Sequence, residues 1–228
     1  MPVTLDQLRH RTRVHADLVS SSFVLDDELD GFINASGGDM FDVLQSRYED
    51  WVTTPGHTTF TLVEGENQHP LPADCLKLRG VDRQEGADWV PMRSFSLEQR
   101  GQFRSTTATP FFLYGQAERR YRQVGRRLEF MPEASAGGTY RFRYVQSFTP
   151  LSASAQPLPE AMTLNGWDEY VVVDAAIKCK QKGDRPTAEL ERQKATLLRR
   201  IESAASNRDA SEQEFICDPT TARHDWWR

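Results

Sequence analysis

The chain has little of what usually signals chemistry. No apolar run approaches the roughly 20 residues that a membrane-spanning helix needs, so no membrane partner is expected. The first residues, Met1-Pro2-Val3-Thr4-Leu5-Asp6, place an acid where a secretory leader carries basic residues. No leader and a cytoplasmic product are therefore expected. Cysteine is scarce. Cys75, Cys179 and Cys217 are far apart, and neither a CxxC nor a Cys/His pair at zinc-ligand spacing occurs. They read as reduced core or surface thiols. Positive charge is not in excess: the formal net charge is −5 and the pI about 5.6. A dedicated nucleic-acid-binding domain is usually basic, often with a pI above about 9, so tight binding to free DNA is not expected.

Catalytic signatures are missing as well. Nucleophile elbows, Walker loops and HExxH do not occur, and Gly37-Gly38 and Gly137-Gly138 are not phosphate loops. His10 and His15 are five apart, not the three or four that would stack them on one helical face. Asp26-Asp27-Glu28 reads as the acidic start of a helix, where the dipole stabilises carboxylates, rather than as a metal site. No catalytic, metal or cofactor residue is expected, and the chain reads as a non-enzyme. Apolar content is 38% and mean hydropathy −0.62, lean beside the roughly 45–50% typical of soluble domains. With five Trp and twelve Phe, part of the apolar surface is expected to serve contacts with other chains.

What is present falls into helix, strand and helix blocks, an α+β pattern. Thr4-x-x-Gln7 resembles a capping box opening a helix over 4–18. A second helix is predicted from Asp26 to about Trp51 on the stripe Leu29, Phe32, Ile33, Met40, Phe41, Leu44 and Tyr48, with a kink or break at Gly37-Gly38. From Thr53 the vocabulary becomes that of strands. Pro55-Gly56 and residues 70–74 read as turns. Strands are predicted at 57–63, 75–81, 89–92, 111–114, 121–124, 127–131 and 139–145, with residues 94–106 a short helix or long loop. In the last strand Tyr140, Phe142 and Tyr144 share one face and Arg141 and Arg143 the other. This spacing suggests a compact antiparallel sheet or small sandwich. After a Pro/Ser/Ala-rich linker, Asn165 is the expected N-cap of an apolar, central helix that Gly183 stops. A last helix runs from Pro186 to about Ser206. Residues 207–228 are polar apart from Phe215-Ile216 and Trp226-Trp227 and cannot build a core of their own.

The chain resembles the head-to-tail adaptor, or connector, proteins of tailed bacteriophages. The pieces that carry the resemblance come in order: Phe23-Val24-Leu25-Asp26-Asp27-Glu28-Leu29 leading to Ile33-Asn34; Leu71-Pro72-Ala73-Asp74-Cys75-Leu76-Lys77-Leu78-Arg79-Gly80-Val81; Trp89-Val90-Pro91; Leu128-Glu129-Phe130-Met131-Pro132; Tyr140 to Tyr144; and Asn165-Gly166-Trp167-Asp168-Glu169-Tyr170 running to Ile177. The break Lys182-Gly183-Asp184-Arg185-Pro186 is more abrupt than the Lys/Glu-rich turn of that family.

The resemblance implies one helical bundle, made of 1–52 with 158–206, as the ring body. It implies an inserted antiparallel β-sheet or sandwich at 53–148, a linker at 149–157, and an extended C-terminal docking tail at 207–228. It further implies a homo-oligomeric ring of twelve copies in the virion neck. The ring would sit between the portal protein and a tail or neck protein below, with genomic DNA passing through the channel without sequence-specific binding. Phe215, Ile216, Trp226 and Trp227 are the candidate anchors on the portal or a neighbouring subunit. Arg119, Arg120, Arg122, Arg126 and Arg127 form the most basic stretch, a candidate subunit or DNA contact. A tail-completion or neck protein, or a DNA-packaging accessory protein using the basic stretch, are the alternatives.

Overall fold

The computed structural model describes residues 2–19, 23–47, 58–101, 119–131 and 137–206. The expected Pro55-Gly56 turn, the strand at 111–114 and the tail from 207 lie outside the described residues. So do Tyr48 and Trp51.

The first helix, α1 (Leu5–His15), starts on a complete capping box. Gln7 N donates to Thr4 Oγ1 (3.4 Å) and Thr4 N donates to Gln7 Oε1 (3.1 Å). Two more amide groups of its first turn are satisfied by the 149–157 segment, with Leu5 N donating to Gln156 O and Asp6 N to Ser154 O. Leu151 and Leu158 of the same stretch are buried in the helical core, and Asn34 exchanges two hydrogen bonds with the Leu151 backbone. The Pro/Ser/Ala composition thus marks an extended strap across the helices.

The second helix, α2 (Asp26–Arg47), runs through Gly37-Gly38 without a break. The glycines have a packing reason instead. A Cβ at Gly37 would lie 2.7 Å from Phe148 Cζ, so the bare backbone is the seat of that ring, which also meets Phe41 at a centroid distance of 5.9 Å. Gly38 has nothing closer than 4.0 Å. The two glycines therefore respond oppositely to substitution. Gly37→Leu should lower stability by about 1–3 kcal/mol through overpacking. Gly38→Ala should raise it by up to about 1 kcal/mol through helix propensity. Urea denaturation of the two variants checks this, and equal responses would remove the packing explanation.

A one-turn helix, α3 (Glu160–Thr163), leads into α4 (Asp168–Lys182), and α5 (Ala188–Ser206) follows. Asn165 is not the N-cap of α4. Trp167 holds that position, and Asn165 (φ 52°) and Gly166 (φ 73°) occupy the left-handed region. Asn and Gly tolerate that region best, and the consecutive pair makes the bend between α3 and α4. Helix α4 is apolar almost all round and packs against α1, α2 and α5. Its Val171, Val172, Val173, Ala175 and Ala176 meet Leu5, Leu8, Leu29, Ile33, Met40 and Ile201 in one hydrophobic cluster. Gly183 caps its C-terminus.

Ion pairs register these helices. Arg9 grips both oxygens of Asp30 (2.6 and 2.5 Å), and Arg11 bridges Asp168 and Glu169. Asp174, 2% exposed, takes Lys178 at 2.8 Å and Lys194 at 2.6 Å.

The described residues of the β region hold seven strands: β1 (Thr58–Leu62), β2 (Gln68–Pro70), β3 (Cys75–Glu85), β4 (Asp88–Pro91), β5 (Arg120–Val124), β6 (Arg127–Met131) and β7 (Gly138–Gln146). They form two antiparallel sheets, β1-β7-β3-β4 and β2-β6-β5. The sequence pattern did not expose β2, a three-residue edge strand whose Pro70 breaks alternation and can sit only where no ladder donor is needed. A parallel bridge between Ser94 and Tyr121 links the segment after β4 to β5. Phe60, Phe130, Tyr140 and Phe142 fill the space between the sheets, with Phe60 stacked on Phe142 at 4.3 Å and on His69 at 4.2 Å. Period-2 alternation explains why the same strands show arginine on their other faces.

Candidate interaction surfaces

Arginine placement on the smaller sheet follows from strand pairing. Tyr121, Leu128 and Phe130 point into the core, so their neighbours Arg120, Arg122, Arg127, Glu129 and Met131 belong to the opposite face. The register aligns them: Arg120 lies opposite Met131, Arg122 opposite Glu129, and Val124 opposite Arg127. Gln68 and Pro70 of β2 extend this face beside Glu129 and Arg127. The result is an outer face with three arginines and one glutamate.

The five arginines of the basic stretch do not act alike. Arg126 sits in the β5–β6 turn and donates to the carbonyls of Pro72 (3.3 Å) and Ala73 (2.8 Å). Leu71 N returns a bond to Arg126 O at 2.9 Å, so Arg126 fixes the loop before β3. Arg119 donates to the Tyr140 hydroxyl and lies over its ring at 5.8 Å. Arg120 and Arg122 are half-buried, while Arg127 is exposed and only touches Gln68 Oε1 at 3.5 Å. The structure brings together Arg120, Arg122 and Arg127 as a surface and gives Arg119 and Arg126 structural tasks. Phe215, Ile216, Trp226 and Trp227 lie outside the described residues.

The larger sheet has a second basic outer face, which the sequence reading divided correctly by alternation but did not single out. Asp82 of β3 is buried beneath Arg141 (2.6 Å) and Arg143 (2.8 Å) of β7. Burial alone would raise the Asp82 pKa, but the bonds from Arg143 and Arg141 outweigh it and hold the carboxyl below the usual aspartate value. Arg141 also stacks on Trp89 at 4.6 Å. One carboxylate serves two guanidinium groups, so the face remains net positive. The signal in the sequence was the Arg-x-Arg repeat. Its acidic partner, 59 residues away, was invisible without the β3–β7 register.

Other chemistry-bearing side chains have structural surroundings. His69 is packed on Phe60, and burial lowers its pKa against the opposing charge of Glu66. His15 lies 3.2 Å from Glu169. Burial pushes the Cys179 thiol up to about 11, as suits an inert core cysteine. Among the described residues no group of three or more His, Cys, Asp or Glu is placed to hold a metal ion. Among them, too, no helix is long and apolar enough to cross a membrane.

The described residues thus form a helical bundle locked by ion pairs and an aromatic-cored β unit with arginines on its outer faces. The chain belongs to the SU10 adaptor protein family, whose family model matches residues 3–216. That is a family of phage head–tail adaptors, which implies a structural, non-enzymatic role in phage assembly. No curated protein matches the chain.

Proposed function

We propose that the protein is the head-to-tail adaptor subunit that forms a ring under the phage portal, in the virion neck, and joins it to the tail or neck protein around the DNA channel. The observation that carries this reading is the family match over residues 3–216, which takes in every helix and strand of the described residues. The helices of 1–52 and 158–206 are the ring body, 53–148 the insertion and 207–228 the docking arm. Twelve copies are the number that the resemblance implies.

Sedimentation of the protein alone and mixed with the portal of its phage tests this. The expected result is a ring-sized complex on the portal. A monomer in isolation agrees with templated assembly, whereas a protein that ignores the portal but binds an isolated tail or neck component would be a tail-completion protein instead.

The arginines on the smaller sheet favour one second reading, a packaging accessory protein that binds DNA. Duplex binding measured against salt separates the two. The adaptor should bind weakly, with no preference for sequence. A steep fall of affinity with salt, the mark of many released counterions, would favour the accessory protein.

A further inference from the structure

A closed ring of identical subunits needs a heterologous interface, in which two different patches of one chain meet head to tail. One such patch is the outer face of β2-β6-β5, with Arg120, Arg122 and Arg127 against the single Glu129. Its apolar members are Val124, exposed, and Met131, half-buried.

The complementary patch is in the sequence after α5. From 209 to 218 the chain reads Asp-Ala-Ser-Glu-Gln-Glu-Phe-Ile-Cys-Asp, with four carboxylates, no Lys or Arg, and one apolar pair. Two further facts bear on it. Arg47 at the end of α2 pairs with Glu202 near the end of α5 at 2.6 Å. Helices α2 and α5 therefore end side by side. An extended stretch of 207–218 covers about 40 Å at roughly 3.3–3.6 Å per residue, enough to reach an adjoining molecule. In addition, the family match runs through residue 216 and stops short of Trp226-Trp227. The matched region thus takes in the stretch up to Ile216 and not the indole pair.

We infer that residues 209–218 of one subunit dock on the basic outer face of the β2-β6-β5 sheet of the next copy, with their carboxylates against Arg122 and Arg127 and Phe215-Ile216 toward Val124 and Met131. This rests on the ring reading and gives that ring its subunit-to-subunit contact. The Trp226-Trp227 pair remains for the portal.

Charge reversal of full-length protein tests the contact. Arg122→Glu/Arg127→Glu and Glu212→Lys/Glu214→Lys should each raise the concentration needed for rings on the portal by about tenfold or more, since like charges then face each other. The chain carrying all four changes should assemble again, which also shows that the reversed residues do not prevent folding. Mixing the two one-sided variants should restore rings in which they alternate, because the acidic tail of one meets the arginine face of the other and the lysine tail of the second meets the glutamate face of the first; energy transfer between differently labelled subunits detects this. Assembly of either one-sided variant at the wild-type concentration, or no recovery in the four-fold variant, would overturn the inference and leave the ring intact. Recovery of the four-fold variant without mixed rings from the two one-sided variants would place the contact within one chain and overturn it too. If the unaltered protein forms no ring on the portal, the ring reading fails, and this contact with it.

Discussion

Removing residues 215–228 should leave the protein folded and abolish its docking on the portal. Among the described residues every member of the two hydrophobic clusters lies at or before Ala205, so the truncation removes none of them. It removes Phe215, Ile216, Trp226 and Trp227, the apolar residues of an otherwise polar segment. Indoles are enriched among residues that dominate interfaces, and each such anchor is worth about 2 kcal/mol or more. Loss of both tryptophans alone should weaken docking by about a thousandfold, at 1.4 kcal/mol per factor of ten. The measurement is co-sedimentation or calorimetry with the portal, beside a denaturation curve of the truncated protein. Wild-type affinity in the truncated protein would remove the tail from the docking surface. Because the truncation also removes Phe215, Ile216 and Asp218 of the inferred subunit contact, it is the loss of the two tryptophans alone that bears on portal docking separately.

Replacing Lys178 and Lys194 together by Met should cost about 3–5 kcal/mol, the usual penalty for stranding a buried charge. Asp174 lies on α4 at the junction of α2, α4 and α5. Lys178 reaches it from its own helix and also touches Ser36 Oγ (3.1 Å) and Asp39 (3.2 Å) of α2. Lys194 comes from α5 and stands 5.5 Å over the Tyr170 ring. Burial opposes the charge of Asp174, but the bonds from Lys178, Lys194 and Ser36 outweigh it and lower the pKa. A carboxylate with a lowered folded pKa adds stability that is fully present above its unfolded value, near 3.8. That contribution is lost as pH falls through the lower folded value.

With both lysines gone, burial is opposed only by the Ser36 bond among these causes and outweighs it, so the sign inverts. The Asp174 pKa should rise above its unfolded value, and the variant should gain stability relative to wild type as pH falls. Adding Asp174→Leu should recover much of the loss, since an apolar residue there needs no partner. Urea unfolding of the three proteins across acidic pH reads all of this. An unchanged pH dependence in the double lysine variant would show that Asp174 is not held by these two residues.

How much of this was legible in the chain differs by element. Thr4-x-x-Gln7 read as a capping box because the motif is closed within four residues, and the structure has both of its bonds. Helix α4 read as central because it is apolar over much of its circumference, and strand β7 because aromatic and arginine residues alternate from Tyr140 to Tyr144. Each of these signals lies within one element. The failures share the opposite property. Gly37-Gly38 read as a kink or break because helix propensity is local, whereas the helix is unbroken there and Phe148, which needs the bare backbone at Gly37, comes from more than a hundred residues downstream. Asn165 read as an N-cap because the residue type fits, while the bend from α3 uses its tolerance of positive φ. β2 had too few residues to show a period.

By itself, then, the sequence determined the class of elements, their order, the faces of the strands and the absence of the known catalytic motifs, because side-chain periodicity and capping act over a few residues. The tertiary structure decided which charges meet. It buried Asp82 under Arg141 and Arg143, and it closed Asp174 between Lys178 and Lys194. It also divided the basic stretch, setting Arg119 and Arg126 to hold the fold and Arg120, Arg122 and Arg127 on one outer face. The physical reason is that electrostatic partnership depends on distance and burial, and neither is defined until strands distant in sequence are paired in register.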